Sequence, residues 1–495
     1  MILSNSLLLQ LSLAIPLLIA ALCILNYRMP IAVFKVLASL GFILPLLIAV
    51  KLFIDYDAAT TLGSYAYVSD FDMGLRSLGI TLQLGLNGVS LPLYTLATII
   101  GLAAGLYALT AHTDHVRFYL IMLLFMHAGA LGTFASVNLF YYYFFHELAF
   151  IPTFVAIGML GGKGKRAAAI EMALYLTAGA LLVLVGLIAI YSYTHSLNCT
   201  EILATLKDNP IPVTCQKIIF GFFLFGFGIL AALCPFHSWA PNTYTAAPAS
   251  VTMIHAGVLK NFGIYGLIQI ALPFLPEGIL YWKKCIVLLG LSNVLFIGMV
   301  TIAQLNLKRM ISYSSVMHIG YNVLGVVCIA VLSDTLPLSG VILLMVGHGL
   351  STALLFLLTD ILHKRIHTYD LDSETVGGLY QKMPILALFF GMALFASIGL
   401  PGFANFWGEL FVFMSLWEYS LWIVGLTLLG IIISAVYALR AFASIFLGPK
   451  KVDAHCTTAV NLVDITFAER IPSLVLLGAL LLIGVYPSCL LSKLL

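Results

Sequence analysis

Fourteen times this chain runs for about 20 residues with little that water would hold, and that recurrence leaves few folds open. A run of that length crosses a hydrocarbon core of roughly 30 Å as an α-helix. The runs fall at 7–25, 31–54, 90–110, 116–136, 137–160, 168–192, 217–239, 248–272, 281–303, 312–332, 339–362, 383–417, 419–447 and 471–491. The fourth and fifth nearly touch around Ser136 to Asn138, and the twelfth is too long for one straight crossing. With 62% hydrophobic residues, 9% charged and a mean hydropathy of +1.09, the chain reads as an all-α polytopic membrane protein. No Lys or Arg precedes the first run, so a retained crossing is expected there, not a cleaved signal peptide.

Basic residues set the expected orientation. Of the 23 Lys and Arg, only Lys260 and Arg440 fall deep inside runs. Fourteen others lie after odd-numbered runs, among them Arg28, Arg117, Arg166, Arg365 and Lys450. Seven lie on the opposite side, among them Lys51, Arg76, Lys207 and Lys493. Cytoplasmic connections carry the excess. Both termini are therefore expected outside, together with the acidic segment from Asp55 to Asp72.

Several function classes drop out. The net charge of +3 is scattered through short connections and makes no nucleic-acid surface. None of the eight cysteines forms C-x-x-C or a Cys/His cluster with metal spacing, and no haem or iron–sulfur pattern occurs. "GGKGK" at 161–165 lacks the order of a phosphate loop and reads as a basic interfacial turn. No redox centre and no nucleotide are expected on this chain. Cys199 and Cys215 share an outer connection, where a disulfide and two free thiols are both open.

Two crossings carry breaks. "LCPFHSWAPNTYTAAP" (233–248) ends the seventh run and opens the eighth, and "IGLPGFANFWGEL" (398–410) interrupts the twelfth. Proline removes a backbone donor, and membranes admit such breaks where the freed groups meet protein or water. The broken runs are five apart, hence oppositely oriented. Paired interrupted helices of this kind point to an inverted repeat with a transport site between the halves.

Apart from Lys260, several ionisable groups fall well inside the runs: His127, Glu147, His318, His348 and Glu409, with Arg440 deep in the thirteenth. A charge at the bilayer centre costs on the order of 3 kcal/mol, so these side chains are expected to face the bundle interior. Around Lys260, the small residues Ala256, Gly257 and Gly263 fall on one face by helical spacing, with His255 about 140° round. His348 shares a stripe with Thr352 and Thr359. Glu147 has no basic residue on its own helix and needs a proton or a partner from elsewhere. Its neighbour His146 points about 100° away and reads as a packing residue, as His127 also can. Lysine, carboxylate and imidazole together favour protons as cargo over sodium, which needs clustered oxygen ligands.

Taken together, "PFHSWAPNTYTAAP…AGVLKNFGIYGL", "LNLKRMISYSSVMHIG", "HGLSTALLFL", "RIHTYDLDSETVGGL" and "GLPGFANFWGE" resemble the antiporter-like membrane subunits of respiratory complex I, and among them subunit M of bacterial NADH-quinone oxidoreductase. The chain stops at Leu495 without the long lateral helix of subunit L relatives, which favours subunit M. The resemblance implies 14 transmembrane helices, two inverted five-helix repeats, and broken helices 7 and 12. It divides the chain at 1–110, 111–275, 276–448 and 449–495: three leading helices, the first repeat, the second repeat and the last helix. A polar axis would translocate protons through Lys260, Glu147, His318, His348 and Glu409 while quinone is reduced elsewhere. NADH, FMN, iron–sulfur clusters and quinone are expected on partner subunits. The partners implied are other membrane-arm subunits, in the inner membrane of a bacterium. Three places depart from the pattern. The family's seventh-helix lysine falls on Leu230, its eighth-helix lysine falls on Asn261, one position after Lys260, and "APNTYT" stands where "LPDAH" is usual. Subunits of hydrogenase-type or Mrp-type antiporter complexes share these motifs, and a non-pumping spacer is the further alternative.

Overall fold

The computed structural model describes residues 4–58, 65–72, 74, 79–110, 115–332, 334–373, 376–448 and 463–494. Arg76, Lys450 and Lys451, which entered the charge asymmetry, lie outside them. Thirteen described helices are long and apolar enough to cross a membrane. In chain order they begin with α1 (Asn5–Leu25), α2 (Ile31–Asp55), α3 (Ser90–Leu109), α4 (Val116–Ala135), α5 (Leu139–Leu160) and α6 (Lys165–Thr194). A short helix α7 (Cys199–Asp208) precedes α8 (Val213–Leu230), and α9 (Trp239–Ala246) comes after the first break. Then come α10 (Ala249–Phe274), α11 (Pro276–Ile302), α12 (Leu307–Val331) and α13 (Leu336–Ile366). The twelfth crossing is a pair of half-helices, α14 (Pro384–Ile398) and α15 (Ala404–Tyr419). The series closes with α16 (Leu421–Leu447), α17 (Phe467–Val485) and the short α18 (Ser488–Leu491). Counting that pair as one, the described residues hold fourteen candidate crossings, the number of apolar runs.

Local chemistry sets the boundaries. Asn138, Asn198 and Asn306 cap α5, α7 and α12 by accepting from the first-turn N–H groups of Phe140, Thr200 and Arg309. Thr466 and Glu469 form a reciprocal capping box on α17. Pro276 and Pro384 open α11 and α14, where no N–H is needed.

Burial sorts the helices into a centre and a rim. Every residue of α10 from Ala249 to Ile268 is buried, as is α13 from Ser339 to Thr359. Surrounding helices such as α1, α2, α6 and α16 turn apolar side chains outward, among them Leu25, Leu174 and Ile432. That pattern suits a bundle whose solvent is lipid.

Three features go beyond the sequence expectations or against them. First, β1 (Ala66–Phe71) and β2 (Leu82–Leu86) add an antiparallel hairpin to the helical bundle, with β1 inside the acidic segment from Asp55 to Asp72. Val137 between α4 and α5 donates to Gln83 of β2, 3.0 Å, and accepts from Cys199 of α7, 3.0 Å. The hairpin and α7 therefore lid the tight turn between those two crossings. Second, the seventh run does not continue to residue 239. Its helix stops at Leu230, where the apolar signal persists but the backbone turns off before Pro235. Third, Cys199 and Cys215 are free thiols facing different neighbours, Tyr65 and Tyr193. Outside the crossings, burial pushes the Cys199 thiol up to about 12.

At the first break, protein groups meet several of the freed polar groups, while His237 Nδ1 and the Tyr244 hydroxyl stay unpartnered. Asn293 of α11 accepts from the Cys234 N–H at 2.7 Å and donates to Val316 O at 2.9 Å. Glu171 of α6 accepts from Ser238 at 3.0 Å and from Asn242 at 2.8 Å, and Trp239 donates to Ile229 O at 3.1 Å. Arg440 caps the end of α11, reaching Ile302 O at 2.6 Å and Gln304 O at 2.7 Å. It serves a helix end, away from the bundle centre.

A candidate proton axis

Lys260 lies on α10 immediately after a π-turn, His255–Leu259, and its backbone N–H reaches His255 O at 3.0 Å. A π-turn holds one residue more than an α-turn and rotates the rest of the helix about its axis. That rotation overturns the single small-residue face expected from the sequence. Gly257 presses on α13, where an added Cβ would stand 2.9 Å from Gly349 O, whereas Gly263 presses on α8 against Phe227 O. Lys260 itself turns to α12. Fully buried, its Nζ donates to Ser315 O at 2.7 Å and also contacts Ser315 Oγ. Asn261, at the place the resemblance gives to lysine, points to α13 and donates to Met345 O at 3.4 Å.

Beyond Ser315 the polar line continues. Its hydroxyl lies 3.3 Å from His348 Nε2, and Thr352 lies 3.3 Å from the same nitrogen. The His318 ring stacks on His348 with centroids 5.3 Å apart and planes 18° from parallel. Each nitrogen of His318 faces a carbonyl: Nδ1 is 2.8 Å from Ser314 O and Nε2 2.9 Å from Ser397 O. A neutral imidazole has one N–H and satisfies only one of these at a time. An arriving proton is therefore accommodated without moving the ring. Tyr437 flanks the path, its hydroxyl 2.6 Å from Ser314 Oγ.

Ser397 stands near the end of α14, just before the second break. Gly399 there has φ +83°, and a side chain on it would collide with the Glu409 carboxylate. Only a residue without Cβ allows the carboxylate to lie against that turn. Glu409 is buried, accepts no hydrogen bond among the described residues, and shares its surroundings with Tyr321, whose buried hydroxyl is also unpartnered. Orphaned polar atoms in an interior of this kind mark water positions.

Lys260, His348 and His318 are thus brought together, with Glu409 at the far side of the break. Glu147 is not. Its side chain is one-third exposed, and its ionic contact is with His146, Nδ1 to Oε1 at 3.3 Å. Leu230 is buried at the end of α8, whose stretch from Gly221 onward carries no charged side chain. His127 packs against Phe42 and Gly101, in line with a packing role. Thr359 is buried with an unpartnered hydroxyl on the His348 stripe. Sequence reasoning passed over Ser314, Ser315, Ser397, Tyr321 and Tyr437. The signal for the first two was present: they precede His318 by four and three residues, one helical turn.

Comparisons with known proteins converge. Residues 136–434 match the family described as NADH:quinone oxidoreductase/Mrp antiporter, transmembrane. NADH-quinone oxidoreductase subunit M of Rickettsia typhi is 32% identical over 411 residues, covering 83% of this chain and 81% of that protein. An NAD(P)H-quinone oxidoreductase chain 4 of Thermosynechococcus vestitus is 31% identical over 422 residues, covering 83% and 76%. Among solved structures, a chain of Thermus thermophilus respiratory complex I superposes with TM-score 0.86 at 26% identity, over 98% of this chain and 97% of that one. A chain of the Mrp complex from a Dietzia species shares the fold, with TM-score 0.83 at 20% identity over 99% and 96%.

Proposed function

The chain belongs to the NADH:quinone oxidoreductase/Mrp antiporter transmembrane family, and from that premise we propose that it is a proton-translocating membrane subunit of an NADH-quinone oxidoreductase. The observation that carries this reading is the polar line Lys260–Ser315–His348–His318–Ser397 through an otherwise apolar bundle. Lys260 releases a proton to the Ser315 hydroxyl, which passes its own to His348. From His348 the proton passes to a ring nitrogen of the adjacent His318, whose Nε2 points toward the break that holds Ser397 and Glu409. Lysine, imidazole and carboxyl side chains gain and lose protons, so each is restored when the next one arrives.

The electrons travel elsewhere. NADH, FMN, iron–sulfur clusters and quinone belong to partner subunits, and this chain converts their reaction into charge movement. In this reading helices α4–α10 and α11–α16 are the two inverted repeats, with the broken crossings in equivalent places. The basic asymmetry puts both termini on the outer face of a bacterial inner membrane. Relatives matched over four-fifths of this chain favour the quinone-reductase setting over a hydrogenase-type or Mrp-type complex.

The test is His348→Ala in the assembled complex within inverted membrane vesicles. NADH-driven acidification should fall about tenfold or more, as when a proton-transfer group is lost. NADH oxidation by a soluble artificial acceptor should stay at the parental rate. Parental acidification with normal subunit content contradicts the pumping role.

A further inference from the structure

Glu147 is the candidate that the central line leaves out. From Gly221 to Leu233, α8 and the start of its break hold no ionisable side chain, so no buried ammonium waits for this carboxylate from that side. Among the described residues, the only basic side chain paired with Glu147 is its neighbour His146, 3.3 Å away. We propose that His146 is the proton-exchanging partner of Glu147, carrying on α5 itself the role that a lysine on α8 would fill. The inference rests on the pumping reading above.

His146 packs, as its helical position predicts, but it packs in an unusual state. The side chain is 3% exposed, and neither ring nitrogen has a hydrogen-bond partner. Nδ1 is within ionic distance of the carboxylate without being aligned as a donor to it. A buried imidazole left so is disfavoured unless water or function claims it. The ring stacks on Tyr143 and meets Phe150 edge-on, with centroids 4.6 Å apart. On the inner side it lies 5.8 Å from Phe262, two residues beyond Lys260 on α10. Across the Phe150 ring stands a second imidazole in the same condition. His255 is 5.6 Å from Phe150, fully buried, with both nitrogens unpartnered, and its carbonyl accepts the Lys260 N–H. Two orphan imidazoles thus flank the Phe150–Phe262 pair, between a half-buried carboxylate and the buried ammonium.

The chemistry balances on this arrangement. A protonated Glu147 gives its proton to His146, leaving a carboxylate beside an imidazolium. When the Phe150 and Phe262 rings part, the imidazolium releases its proton from the other nitrogen toward His255 and a neutral Lys260. His146 is then neutral again, and Glu147 is ready for the next proton.

The experiment uses the complete complex in inverted vesicles. His146→Phe keeps the aromatic packing and removes the titratable ring; NADH-driven acidification should fall about tenfold with normal subunit content. Glu147→Gln combined with His146→Phe should be no worse than either alone, because the two act as one unit. Leu230→Lys added to His146→Phe should restore pumping by returning an ammonium to α8, a rescue that a packing role would not show. Parental acidification in His146→Phe overturns the proposal. If Lys260→Ala then still abolishes acidification, the pumping reading stands without it. If Lys260→Ala is also parental, the pumping reading itself has failed. Where His146→Phe does not assemble, His146→Gln replaces it, and failure of both assigns His146 to packing and overturns the proposal.

Discussion

At the scale of single residues, Lys260 is fully buried and commits its Nζ to Ser315. Lys260→Arg keeps the charge but not its release, since a guanidinium holds its proton throughout the accessible range. Acidification should be nearly abolished in that variant, while Lys260→His should retain part of it. The reverse order of these two would contradict a proton-releasing role. Outside the crossings, the Cys199 thiol stays protonated through physiological pH because burial pushes it up to about 12. A raised thiol value means little thiolate at pH 8, so Cys199 should label slowly, and half-buried Cys215 faster. Prior reduction should change neither rate; an increase on reduction would reveal a disulfide. Much of the site was legible. Lys260, His318, His348 and Glu409 stand out because charge is rare in apolar runs, whereas Ser315 and Ser397 do not, since a hydroxyl is common on membrane helices and only its neighbours mark it out.

At the scale of elements, two interruptions do the positioning, and they differ in legibility. The break between α14 and α15 was visible as "GLPG" within a run too long to cross straight. The π-turn at His255–Leu259 was not, because its residues suit an α-helix equally well and only the packing of α10 between α8, α12 and α13 selects it. A one-residue shift there sends Lys260 to α12 and Asn261 to α13. The hairpin was missed for a different reason: its strands are short, and the hydrogen bonds that fix it come partly from Val137 between two crossings. The second break offers a direct test. Gly399→Ala puts a methyl group against the Glu409 carboxylate and forces a φ of +83° on a residue with a Cβ, at a cost of about 1–3 kcal/mol. Pumping should fall more than assembly does, with subunit content read by immunoblot alongside vesicle acidification. Unchanged pumping would mean that the position of Glu409 at the break does not matter.

At the scale of the whole molecule, a rim of outward apolar side chains surrounds a buried polar axis. Reporter fusions after Arg166 and Arg365 should report the cytoplasm, and one near Cys199 the outer face, as the basic asymmetry requires. Opposite signals at two of these would invert the direction of transport. Family membership fits the proposed reading, in which NADH is oxidised on other chains and protons move on this one. The claim on which the rest depends is that protons cross through Lys260. The most direct measurement is NADH-driven acidification of inverted vesicles carrying Lys260→Ala, with assembly checked by subunit content. Near-complete loss of acidification, with the complex intact and coupled electron transfer slowed, is the expected result; acidification at the parental rate would leave this chain a passive spacer and contradict the account.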